Sequence, residues 1–213
     1  ALHPMAQRMH EAMNAIALTA AGQSQQLDGT VRITASVYAS HFVLPPVLAQ
    51  IRAREPAIQL ELRPSDATEN LLFREADIAV RMYRPEQLDI VAQKVGTAAM
   101  GVFAATSYLD RAGRPQTMAD ILRHDIVGFD TDDLIIRRMR ETGWQVSRDD
   151  FAVRCDNQSA YWELVRAGCG IGFSQCAVGR ADPLVEEIDV GIQIEPLEIW
   201  LAAHQAMRNT PRI

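Results

Sequence analysis

The stretch "LDGTVRITASVYASHFVLPPVLAQIRAREPAIQLEL", Leu27–Leu62, decides the fold. Val31, Ile33 and Ala35 alternate along one face of a strand. Pro45-Pro46 then stand where proline is tolerated, at a helix start, and Val47, Leu48 and Ile51 give that helix its apolar side. Ile58, Leu60 and Leu62 alternate with Gln59, Glu61 and Arg63, the period of a strand with one polar face. Between the first strand and the helix lies a predicted loop, Ser36–Ser40, rich in small and hydroxyl residues. Two readings of it stay open. Unpaired N–H groups at a strand-to-helix turn attract anions, so the loop could hold a ligand. Alternatively, Ser40 caps the helix and Tyr38 packs.

Working outward, Asp66 or Thr68 is placed to cap a helix carrying Leu71, Leu72 and Phe73. "ADIAVRM" (Ala76–Met82) is a short apolar run, as expected of a strand covered on both faces. This β-α-β-α-β order implies a parallel sheet with right-handed crossovers. A second cycle follows, with strands in "MGVFAAT" (Met100–Thr106), "DIVGFD" (Asp125–Asp130), "FAVRCDN" (Phe151–Asn157) and "GIGFSQ" (Gly170–Gln175). Helices are expected in "SYLDRAG", "TMADILRH", "DLIIRRMRETG", ended by Gly143, and "SAYWELVRAGCG", with Gly168 at its C-cap. "LEIWLAAH" (Leu197–His204) is an apolar strand able to return to the first unit. Two similar α/β units with a late strand crossing back imply two lobes and a cleft, and ligands in such sheets bind beyond the carboxyl ends of the strands. Residues 1–26 differ from the rest: Met5, Met9, Met13, Ile16 and Ala20 form one stripe of an amphipathic helix, which packs either on its own domain or across domains or subunits.

Composition narrows the function. The chain has 213 residues, 48% hydrophobic and 23% charged, with a net charge of −6. An acidic chain supplies no basic patch for phosphates; the densest basic cluster, Arg137, Arg138 and Arg140, is flanked by Asp132, Asp133 and Glu141. No apolar run reaches the length of a bilayer span. Three cysteines, Cys155, Cys169 and Cys176, without a CxxC pair, argue for a reducing compartment rather than a disulfide framework. The five histidines lack metal-ligand spacing, so no metal site is expected. "GCGIGF" from Gly168 follows a helix and precedes a strand, the reverse of a dinucleotide loop, and reads as a cap and tight turn. Ser174 lacks the GxSxG context of a nucleophile. Asp66 with Glu69, and Asp130 with Asp132 and Asp133, read as caps before acid–base pairs.

The order of these segments resembles the effector-binding domain of LysR-type transcriptional regulators. The resemblance rests on "GTVRITAS", "LPPVLAQIRAREPAIQLEL", "ADIAVRM", "VFAATSYLDRAGRPQTMADILRHDIVGF" and "NQSAYWELVRAGCGIGF", and runs from Leu27 to Ile213. It implies two Rossmann-like lobes with a central cleft, like type II periplasmic binding proteins. Residues 1–26 would be the end of a linker helix and 27–213 the effector domain, with lobe I at 27–98 plus 202–213 and lobe II at 99–201. It also implies a non-enzymatic, cytoplasmic homodimer or tetramer that meets DNA only through a missing N-terminal winged helix-turn-helix. Dimerisation would set the helix Pro45–Arg54 against the second lobe of a partner. No cofactor or metal is implied; the ligand would be a small molecule, often an organic anion. Effector contacts map by resemblance to Ser36, Val37 and Tyr38 after the first strand and to Ser65 and Asp66 after the second. Phe129, Asp130, Asn157 and Gln158 match the second lobe's contacts. Acidic Asp66 and Asp130 would disfavour a dianion unless Arg81 or Arg154 offsets them. An enzyme, or a stand-alone solute-binding protein, on the same fold is the alternative.

Overall fold

The structure, a computed structural model, describes residues 28–66, 76–85, 90–207, 210, 211 and 213. The Met5–Ala20 stripe and the helix expected at Leu71–Phe73 lie outside them. In chain order the elements begin β1 (Gly29–Ala35), α1 (Val37–Phe42), α2 (Leu44–Arg54), β2 (Ile58–Pro64), β3 (Ile78–Arg81) and β4 (Ile90–Ala98). There follow β5 (Met100–Ala105), α3 (Thr106–Ala112), α4 (Met118–Ile121), β6 (Ile126–Gly128), α5 (Leu134–Glu141) and β7 (Phe151–Arg154). The last are α6 (Gln158–Arg166), β8 (Gly172–Gln175), α7 (Cys176–Ala181), β9 (Val185–Ile188) and β10 (Leu197–His204). The chain divides into two compact units, Ala1–Gly96 with Glu198–Ile213, and Thr97–Leu197.

The first unit is built on a five-stranded sheet in the order β2-β1-β3-β10-β4. β1 runs parallel to β2, from Gly29 opposite Ile58 to Ala35 opposite Pro64, and parallel to β3, with Ile33–Ala35 opposite Ile78–Val80. The returning strand β10 lies antiparallel to β3. The alternation expected of β1 is realised: Val31, Ile33 and Ala35 point into a core with Ile58, Val80, Ala39 and Leu44. Each buried Val or Ile side chain of this kind contributes about 1.5–3 kcal/mol.

Two local readings are corrected. The segment after β1 is the helix α1, not a loop. Ser36 caps it, its hydroxyl accepting from the Ala39 amide at 3.2 Å. Ser40 is inside the helix, 4% exposed, and caps nothing. Tyr38 and Phe42, one turn apart, bring their rings to 5.1 Å while Ala39 enters the core. Six residues hold too little of the 3.6 period to reveal it in a run of small side chains.

The second unit is not a repeat of the first. Its sheet has the order β8-β5-β9, with β5 antiparallel to both neighbours. β6 and β7 form a separate parallel pair, tied to the other strands by a bridge between Ile126 and Ile171. Apolar alternation fixes that a strand exists, not which way its neighbour runs. Because β8 and β9 flank β5 from opposite sides, α7 carries the chain across between them. Phe103 of β5 and Trp162 of α6 meet edge-on at 5.9 Å, both fully buried. As expected, α6 stops at Gly168: the Gly168 amide donates to Val165 O at 3.0 Å and the Cys169 amide to Leu164 O at 3.1 Å. This pair of hydrogen bonds requires the left-handed φ of 84° that glycine adopts without strain.

Candidate functional site

In the first unit the structure brings together five of the expected residues. The Ser65 amide donates to Ala35 O at 2.8 Å, which stitches the end of β2 to the end of β1. The Val37 amide, the first of α1, donates to Asp66 Oδ1 at 2.9 Å. Ser36 is committed to its cap, and Tyr38 is buried against Phe42. The amide at which an anion would be expected is therefore already taken by the chain's own carboxylate. Arg81 closes β3 and is 8% exposed. Burial pushes its guanidinium below the usual range, an effect partly offset by Tyr83 and Asp66.

The second unit repeats this theme. Phe129 follows β6, buried against the Tyr161 ring at 5.3 Å. The Asp130 carboxylate is ion-paired with Arg148 and, at 3.5 Å, with Arg154. Asn157 caps α6 by accepting from the Ala160 amide at 2.9 Å, and Gln158 opens that helix, half-buried. Asp156 knots the loops together. It accepts the Asp130, Thr131 and Asp132 amides at 2.7, 3.0 and 3.2 Å and the Thr131 hydroxyl at 2.6 Å. These donors, the Thr131 hydroxyl first, pull its carboxyl down to about 2.

The reading of the sequence missed Asp156 and Arg148. Asp156 had a signal, an acidic residue between a strand end and the Asn157 cap. Arg148 reaches Asp130 across 18 positions with no local pattern to mark it.

Asp156 gives a pH prediction. Its folded pKa lies below the ordinary value, so its contribution is present above about pH 4 and is lost as pH falls towards 2. The melting temperature of Asp156→Asn is expected to lie below that of the parent from pH 5 to 8. The gap should close by about pH 2, followed as paired melts across that range. A gap that stays constant with pH contradicts the assignment.

None of the expected residues borders the groove of about 260 Å³ in the second unit, lined by Met100, Val102, Arg180, Ile188, Ile192 and Ile194 among others. Among the described residues no group of His, Cys, Asp or Glu side chains could hold a metal ion. No described helix is long and apolar enough to cross a membrane.

Comparisons with known proteins bear on the family and the fold. The family model for the LysR substrate binding domain matches residues 24–213. An uncharacterized HTH-type transcriptional regulator of Haemophilus influenzae is 28% identical over 156 residues, 69% of this chain and 52% of that protein. The HTH-type transcriptional regulator CrgA of Neisseria meningitidis is 28% identical over 101 residues, 47% of this chain and 34% of its own length. The chain thus spans about half the length, or less, of these curated relatives. Among solved structures, the CrgA regulatory domain matches with a TM-score of 0.72 at 19% identity, covering 87% of this chain and 93% of that one. The AmpR effector binding domain of Citrobacter freundii matches at 0.69 and 18% identity, covering 86% and 92%. These likenesses carry the fold: mixed α/β, of the two-lobed, periplasmic-binding-protein-like kind found in LysR regulatory domains. With a family model spanning the chain from residue 24 to its last residue, this protein belongs to the LysR substrate binding domain family.

Proposed function

We propose that the chain is the ligand-sensing part of a cytoplasmic, LysR-type DNA-binding transcription factor. The proposed effector contacts lie in the strand-end loops of each unit: Ser36, Val37, Tyr38, Ser65, Asp66 and Arg81 in the first, Phe129, Asp130, Asn157 and Gln158 in the second. The observation that supports this most is the stitching of β1's end to β2's end, which gathers five of those residues at the carboxyl edge of one sheet. The relatives are transcriptional regulators rather than enzymes, and control of transcription would require the ligand to favour one arrangement over another. The test is a thermal-shift screen of this chain against a metabolite library, repeated as DNA retention by the full-length regulator. One compound should raise the melting temperature saturably and change DNA affinity. No hit in the first assay, or a hit without effect in the second, overturns the reading.

Self-association is part of the proposal. α2 buries only Leu44 and leaves Val47 46% exposed, an apolar side chain on an outward helical face. A partner's second lobe is the proposed cover. Val47→Asp is expected to turn a dimer into a monomer with little change in melting temperature, read by light scattering after size exclusion. A parent chain that is itself monomeric at all concentrations contradicts it.

A further inference from the structure

We propose that the effector carries a single carboxylate, held by the Arg81 guanidinium with the Thr34 hydroxyl as a second donor. This rests on the effector-binding reading above and names the ligand's chemistry. Arg81 is 8% exposed and Thr34 is fully buried. Thr34 stands opposite Ala79 in the β1–β3 register, and Arg81 follows Ala79 by two residues. By the pleat, Thr34 and Arg81 therefore share one face of the sheet as diagonal neighbours.

Both are short of partners. Arg81 donates to its neighbour's carbonyl, Val80 O, at a long 3.4 Å and bonds the Tyr83 side chain. Among the described residues no carboxylate lies within ion-pair distance of it. The buried Thr34 Oγ1 has no hydrogen-bond partner, and neither has Ser40 Oγ in α1. A buried guanidinium without an ion-paired carboxylate is costly, because one long backbone bond, Tyr83 and the attraction of Asp66 only partly replace its lost hydration. A planar carboxylate answers that deficit, since its two oxygens fit the guanidinium fork. The charge is one rather than two because Asp66 lies near enough to raise the proton affinity of Arg81 and already holds the Val37 amide. A second carboxylate would meet Asp66.

The test uses this chain with formate, acetate, benzoate, succinate and benzamide at constant ionic strength, and the variants Arg81→Met, Arg81→Lys and Thr34→Val. Without additive, Arg81→Met is expected to melt at or above the parent temperature, because it removes a buried charge that Tyr83 and Asp66 only partly compensate. At least one monocarboxylate should stabilise the parent saturably, more than succinate does, while benzamide does not. Arg81→Met should weaken that binding at least about tenfold, Thr34→Val a few-fold, and Arg81→Lys should retain part of it. Arg81→Met melting several degrees below the parent makes the residue structural and overturns the proposal, as does failure of every monocarboxylate to bind. A neutral library compound that binds parent and Arg81→Met alike overturns the carboxylate assignment while leaving the effector reading intact. If the whole library fails, the effector reading falls, and the ligand-free melt of Arg81→Met separately shows whether the buried charge is only partly compensated.

Discussion

Replacing Trp162 by alanine is expected to destabilise the second unit by about 3–5 kcal/mol, the range for deleting a fully buried aromatic side chain. Trp162 has no exposed surface and lies on α6 edge-on to Phe103 of the central strand β5. Val165, one turn along the same helix, and Ile171 beside β8 are also fully buried. A tryptophan-sized void there cannot be refilled without moving α6, the helix that Asn157 and Gln158 begin. The loss should appear as a lower urea midpoint by circular dichroism. Trp200→Ala is the control: Trp200 is half-buried on β10, its indole donating to Glu198 Oε2 at 2.9 Å and facing the Arg84 guanidinium at 5.6 Å. It should cost about 1 kcal/mol or less by comparison. Equal effects at both positions would contradict the assignment of the core.

The second large effect is expected at Gly170. A Cβ there would lie 2.4 Å from the Asp125 carbonyl oxygen and 2.8 Å from its carbon, and the residue has φ 150°. Both obstacles are backbone, so no side-chain rotation relieves them. Asp125 O is also the acceptor for the Ile171 amide at 2.8 Å, so pushing it away breaks the bond that leads β8 in beside β6. Gly170→Ala is expected to cost about 3 kcal/mol or more, combining backbone strain with a lost buried hydrogen bond. Gly113→Ala, where a Cβ meets nothing within 4 Å but φ is 88° and ψ 165°, isolates the backbone strain and should cost less, about 1–3 kcal/mol. Denaturant titration of the two variants separates them. A mild Gly170→Ala would mean that β6 and Ile171 are not held as described.

What was legible in the residues followed from periodicity and punctuation. The alternation in Val31–Ala35 and Ile58–Leu62, the apolar run ending at Arg81, and glycine at the end of α6 each state their element locally. "LEIWLAAH" is apolar enough to mark β10 along its full length. β4 was passed over because Gln93, Lys94 and Thr97 interrupt its apolar residues, and β9 because two of its four residues are glutamates. Strand direction in the second unit has no local signature; it depends on β5 accepting a neighbour on each side.

The candidate site was legible as positions that meet in the fold more than as contacts. Ser36, Val37, Tyr38, Ser65 and Asp66 do meet at one sheet edge, because β1 and β2 run parallel in a register that leaves both ends together. What each does there could not be read from spacing. Ser36 caps α1, whereas α2, the helix that one reading gave to Ser40, has no side-chain cap, and Asp66, expected as a cap or an effector contact, holds the Val37 amide. Asp156 fills three amides after β6. These are contacts across 24 or more residues, or choices among neighbouring hydroxyls, and only packing decides them.

The most direct test of the account is to map where a small molecule that stabilises this chain binds, by amide chemical shifts in a titration. Saturable shifts are expected at Ser36–Tyr38, Ser65, Asp66 and Arg81 in the first unit and at Phe129, Asp130, Asn157 and Gln158 in the second. Shifts confined to other places, such as the groove beside Ile188 and Ile192, with the strand-end loops unmoved, would contradict it.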